Sequence, residues 1–162
     1  MSNSSIIGEA KNKIIKEFIK DEAIVKAIDP ADVNSNEELI NKYIFNFNQN
    51  PETVRDTDTF LTVQVHIIQP TYGSKTLVDA VVEIFIVSNE SHMRVTNIPK
   101  VTENRNDYLS KLIDNKLNGS SLFGVGKLML ETNVEGSYQK NWLYRKMTFK
   151  VTEINDSLCS MR

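Results

Sequence analysis

The chain has 162 residues, 40% of them hydrophobic, with 19 basic and 21 acidic side chains and a formal charge of −2; this fits one domain over residues 1–162 whose core needs no covalent staple, and the charge balance excludes a dedicated nucleic-acid binder. Its single cysteine, Cys159, excludes an intrachain disulfide, and two histidines without cysteine or acidic companions at ligand spacing exclude a zinc motif, so neither metal nor cofactor is expected. The start lacks the apolar core of a signal peptide, and no run approaches the ~20 apolar residues of a membrane span, which predicts use in the cytoplasm or inside a larger particle.

In chain order, residues 1–4 read as a tail. Ser4 or Ser5 is expected to cap a helix running to Ile28, with Ile7, Ala10, Ile14 and Phe18 along one stripe and lysines opposite. Asp29-Pro30 ends it, because a residue before proline is pushed out of the α region. Ser35 or Asn36 opens a second, short helix that buries Leu39, Ile40 and Tyr43. Ile44 to Pro51 alternates aromatic residues with asparagine before a proline and reads as an edge strand or an extended arm. Its aromatics Phe45 and Phe47 suit packing or subunit contact better than nucleic acid, since the segment has no cation.

Thr59 to Ile68 is a strand, with Leu61, Val63, Val65 and Ile67 on one face and Thr62, Gln64 and His66 on the other. Gln69 to Ser74 breaks it. Leu77 to Val87 follows, apolar on both faces, as expected of a central strand. His66 and His92 read as ordinary strand and loop histidines. Asn104 or Asn106 then caps a helix with Tyr108, Leu109, Leu112, Ile113 and Leu117 on its stripe, and Asn118-Gly119 ends it. The glycines of Ser121 to Lys127 do not have Walker spacing.

Leu122 to Ile154 reads as a closing hairpin, with strands Leu122–Thr132 and Trp142–Glu153 and a turn at Asn133 to Ser137. In the last strand Trp142, Tyr144 and Lys146 share one face, a composition typical of interface anchors. Ser157 to Arg162 reads as a tail. The acids Asp79, Glu83 and Glu131 are spread along the strands with nothing to pair them, which argues against an enzyme.

The resulting fold class is α+β: a long N-terminal helix, then β-β-α-β-β forming a four-stranded, mainly antiparallel sheet packed against helices. This order, from the opening helix to Trp142-Leu143-Tyr144-Arg145-Lys146-Met147-Thr148-Phe149, resembles the tail-terminator and related neck or minor tail proteins of tailed phages. The phrases Asn104-Arg105-Asn106-Asp107-Tyr108-Leu109 and Asn133-Val134-Glu135-Gly136-Ser137-Tyr138 are similar to structural proteins of phages and prophages. The resemblance implies a virion protein assembled in the bacterial cytoplasm. It implies a homo-oligomeric ring, commonly a hexamer, that caps the tail-tube protein and meets neck or connector proteins. DNA would pass through its lumen without specific binding, and neither a reaction nor a membrane is implied. A head-completion or stopper protein, and a small-ligand module with a curved sheet, are the alternatives. The residues assigned to the interface are Trp142, Tyr144, Lys146, Phe45 and Phe47.

Overall fold

The computed structural model describes residues 3–54, 57–68, 79–139 and 141–151. Helix α1 (Asn3–Lys20) and helix α2 (Glu22–Ile28) replace the single opening helix expected from periodicity. The break is chemical: Asp21 leaves the helical region, and its carboxylate accepts the amides of Ala23 and Ile24, capping α2. The start also lies earlier than expected, since α1 already runs through Ser4 and Ser5. The end at Ile28 is as expected, with Asp29 in the left-handed conformation donating its amide to Val25. A short 3-10 turn, Asn36–Leu39, takes the place of the second helix and buries Leu39.

Strands β1 (Ile44–Phe45), β2 (Thr59–Ile68), β3 (Asp79–Asn89), β4 (Leu128–Tyr138) and β5 (Trp142–Val151), with helix α3 (Arg105–Leu117) between β3 and β4, complete the element order. They form one five-stranded mixed sheet, β1-β2-β3-β5-β4, rather than four strands. Only β1 is parallel to its neighbour, pairing Ile44 with Leu61 and Phe45 with Thr62. Of the segment Ile44 to Pro51, left open as edge strand or arm, Ile44–Phe45 forms a two-residue edge strand and residues 46–50 are irregular. The other pairings are antiparallel, and β3 is central as its two apolar faces predicted. The break at Gln69–Ser74, residues 77–78, the last residues of the closing strand, Cys159 and the C-terminal tail lie outside the described residues.

The largest correction concerns β4. Residues 122–127 form turns, not strand, and Asn133 to Ser137 are strand, not turn; the chain reverses between Tyr138 and Trp142. Two physical facts misled the pattern. Phe123 and Val125 are buried although they lie in a loop, where Gly124 and Gly126 adopt φ of 79° and 101°. Asn133 to Tyr138, meanwhile, run along the sheet's outer edge, where polar side chains meet water and no apolar alternation is required. Gly136 pairs with Tyr144, and a Cβ there would lie 2.5 Å from that ring, so the glycine admits an aromatic and does not make a turn.

All three helices pack on one face of the sheet. Ala10, Ile14 and Phe18 of α1, Ile24 and Ile28 of α2, and Leu109, Ile113 and Leu117 of α3 meet Leu61, Val63, Val82, Ile84, Ile86, Met147 and Phe149, all fully buried. Each such side chain contributes about 1.5–3 kcal/mol on transfer from water. Helix α3 is capped as expected by Asn104, whose side chain accepts the Asp107 amide at 2.9 Å. Its stripe is narrower than the sequence suggested, because Tyr108 and Leu112 are only half-buried.

Candidate functional site

Among the described residues no α-helix packs on the face of the sheet opposite α1, α2 and α3, but Val54, after the 3-10 turn Pro51–Thr53, packs against the end where Phe60, Thr62 and Val87 are buried. Strand alternation assigns to this face Phe60, Thr62, Gln64 and His66 from β2, Val81, Glu83, Phe85 and Val87 from β3, and Trp142, Tyr144, Lys146 and Thr148 from β5. Phe45 from β1 and Tyr138 from β4 join a small second cluster there with Phe60 and Val87.

The rings hold one another. Phe45 meets Phe47 at 5.5 Å and Phe60 at 5.7 Å, edge to face, and Phe60 meets Trp142 at 6.0 Å. On the β4 side Tyr138 lies 4.7 Å from Tyr144, which lies 6.0 Å from Phe85. Tilted and perpendicular rings pack well together but present no row of flat faces on which bases could stack. Burial raises the Tyr138 hydroxyl above its ordinary range, helped by Tyr144 and opposed by Lys146.

At the centre of this face Lys146 lies 5.3 Å over the Phe85 ring and pairs with Glu83, which also receives His66 at 3.1 Å. Lys150 pairs with Glu131. Glu83 and Glu131, read from the sequence as isolated acids, therefore each have a basic partner across a strand. The face is polar and closed on itself at its centre and aromatic at the end bearing Trp142.

The five residues assigned to an interface all lie on or beside this face, with different exposures. Phe45 is buried, Trp142, Tyr144 and Lys146 are half-buried, and Phe47 is exposed. Phe60, Phe85 and Tyr138 were missed. Phe60 and Phe85 have the parity of Thr62 and Glu83 and were legible; Tyr138 was lost with the misplaced turn.

On the helix side, a polar network joins elements distant in sequence. Arg105, wholly buried at the start of α3, donates to the carbonyls of His92 at 2.7 Å and Ala27 at 2.6 Å and approaches Asp29 at 3.5 Å. Burial lowers its pKa while Asp29 and Asp58 oppose the shift; a guanidinium so held remains charged. His92, expected to be an ordinary loop residue, contacts Asp29 at 3.3 Å and the Thr59 hydroxyl at 2.8 Å. From Thr59 the chain runs through Ser88 at 2.9 Å to the Asn106 amide at 2.7 Å. The Asp-His-Thr order resembles a nucleophile relay, yet Thr59 is 1% exposed and its oxygen is bonded to Ser88, so the array acts as a strut between α2, β2, β3 and α3. Beside it, an open groove of about 350 Å³ is lined by Asn104, Asp107, Glu135, Tyr144 and Arg145; Arg145 pairs there with Asp107 and, at 3.2 Å, Glu135.

Among the described residues no acid, histidine or cysteine group is placed to hold a metal, and no helix is long and apolar enough to cross a membrane. A family profile described as YomW matches residues 12–151. A chain of a solved structure titled "Virion of native gene transfer agent (GTA) particle" is similar at 10% identity, covering 84% of this chain and 88% of that one, with a TM-score of 0.49. No curated protein matches the chain.

Proposed function

The chain belongs to the YomW family, a family of phage derivation, and on that premise we propose that it is a structural protein of a phage virion. The finer reading is a tail terminator: a ring of identical subunits, a hexamer by the resemblance described above, that caps the tail tube and joins it to the neck, with DNA passing through the lumen. The observation that carries the reading is the one-sided architecture. Helices α1, α2 and α3 cover one face of the sheet, while the other presents an aromatic patch around Trp142 and Tyr144, backed by Phe45, Phe60 and Val54, with Phe47 exposed beside it. Aromatic side chains held in place before contact lose little conformational freedom on docking, which suits an interface anchor. Trp142, Tyr144, Lys146, Phe45 and Phe47 are assigned to this contact, Phe45 as a buried support and the others as touching residues.

The test is Trp142→Ala in the phage or prophage that encodes the chain. The expected outcome is a folded, soluble subunit and no completed particles, with tails of normal diameter accumulating apart from filled heads. Infectious particles at normal yield would remove Trp142 from the contact. Immunogold label at the head vertex of tail-less particles would favour a head-completion or stopper role, and absence of the chain from purified particles would end the virion reading.

A further inference from the structure

The two lateral edges of the sheet share a set of features that the aromatic face does not explain. Among the described residues, the large apolar side chains left exposed are Ile40, Phe47, Ile68, Leu122, Met129 and Val134. All but Leu122 lie at the edges: Ile40 and Phe47 flank β1, Ile68 ends β2, and Met129 and Val134 lie on β4. Val134 and Ile68 are each 50% exposed.

The backbone at both edges is open as well. Among the described residues strand β4, 11 residues long, pairs only with β5, and it contains neither proline nor lysine, residues that guard natural edges. A single irregularity near Glu131 interrupts it, and the pairing from Thr132 to Tyr138 is regular. On the opposite side β1 covers only Leu61 and Thr62, so Val63 to Ile68 of β2 have no outer strand among the described residues.

Strand direction fits the two edges to each other. Since β2, β3, β5 and β4 alternate in direction, β4 runs antiparallel to β2. A second copy set beside the first in the same orientation therefore brings its β2 against β4 antiparallel, continuing the alternation. Charge does not oppose it: β4 carries no base, and its Glu131 and Glu135 are paired within the chain to Lys150 and Arg145, whereas Asn41–Phe45 and β2 carry Lys42 and no acid. Antiparallel pairing in this sense sets Val134 and Met129 on the same side of the sheet as Ile68, and a register that brings Val134 opposite Ile68 removes that pair from water.

We propose that copies of this chain join head to tail by adding β4 of one to the Val63–Ile68 edge of the next, with Val134 and Ile68 in the joint. Such a contact is heterologous and propagates until it closes. Closure into a ring rests on the proposed virion role; the contact between two copies does not, and is tested on the isolated full chain.

Sedimentation velocity at high protein concentration compares wild type, Val134→Lys and Ile68→Glu, with far-UV circular dichroism and Tm verifying that the half-exposed substitutions leave the fold intact. Wild type is expected to assemble, and each variant to associate roughly tenfold more weakly or worse, because each sets a charge in the apolar joint. An equimolar mixture of the two variants is expected to recover assembly, since the lysine edge of one chain then meets the glutamate edge of the other and the remaining edges are native. A wild type that stays monomeric up to its solubility limit overturns the proposal, as do two variants that assemble like wild type. Loss of assembly in Val134→Lys alone would mean symmetric β4 to β4 pairing, which also overturns it, as does a mixture that fails to recover. Assembly through these edges by a chain absent from particles would sink the virion role and leave the contact standing.

Discussion

The two faces of this sheet are built from the same strands with the same alternation, yet they obey different rules. Facing the helices, Val82, Ile84, Met147 and Phe149 are 0% exposed and apolar packing holds the elements together. On the other face the neighbouring positions hold Phe85, Tyr144, Lys146 and Glu83, half-buried and satisfied by one another. A stretch of sheet covered by helices can be wholly apolar. One that water reaches needs side chains that shield apolar area while keeping a polar end in water, which tyrosine, tryptophan and lysine do. The contrast predicts that substitutions on the helix side are paid in stability and those on the open face mainly in association.

The hardest test of the contrast is Ile113→Asp, which sets an unpaired carboxylate between α3 and the sheet; a loss of roughly 4–5 kcal/mol or more, seen as an insoluble or unfolded chain, is expected. Leu112→Asp, one residue along on the half-buried flank, is expected to lower Tm less. Equal losses would mean that α3 does not present the stripe described. Next is Arg105→Met, which keeps volume but leaves the carbonyls of Ala27 and His92 without their donor; about 3–5 kcal/mol is expected by denaturant titration, as when one partner of a buried ionic contact is removed. A neutral outcome would show that water replaces the guanidinium.

Gly136→Ala probes the open face itself. The added methyl occupies the space of the Tyr144 ring, so overpacking of about 1–3 kcal/mol and an altered near-ultraviolet tyrosine signal are expected; an unchanged spectrum would place the ring elsewhere.

The smallest effect is electrostatic and lies on the helix side. Burial pushes the Asp21 carboxyl up, but the Lys116 ammonium and the amides of Ile24 and Ala23 outweigh it and hold the group below its ordinary range. A carboxylate depressed in the folded state stabilises in full above its unfolded pKa, and that contribution is lost as the pH falls through the folded value. Asp21→Asn keeps a capping oxygen and removes the charge. Its Tm deficit relative to wild type should therefore be present at neutral pH and vanish in the acid range. A deficit that persisted in acid would assign the loss to capping geometry.

Legibility followed covering. The long elements with a regular covered face were readable: the stripe of α1, the alternation of β2 and β3, the cap of α3 and the parity of β5. The interface residues Trp142, Tyr144 and Lys146 could be grouped because β5 is regular. Asn133 to Tyr138 could not be read, because a polar sequence on an edge strand carries the composition of a turn. His92 and Arg105 gave no signal at all, since their partners Asp29, Ala27 and Thr59 are supplied by chain segments far away in sequence.

What the sequence determined by itself was local: the periods of 2 and 3.6 residues that commit segments to strand or helix, the capping chemistry of Asn104, and the stop at Asp29-Pro30. Those depend on neighbours within a turn or a pleat. Tertiary structure decided which strands lie at the edges, that Gly136 must yield to Tyr144, and that a buried arginine ties α2 to α3. Each of these depends on atoms brought together from distant segments, and pairwise contact across such separations leaves no periodic trace in the order of residues.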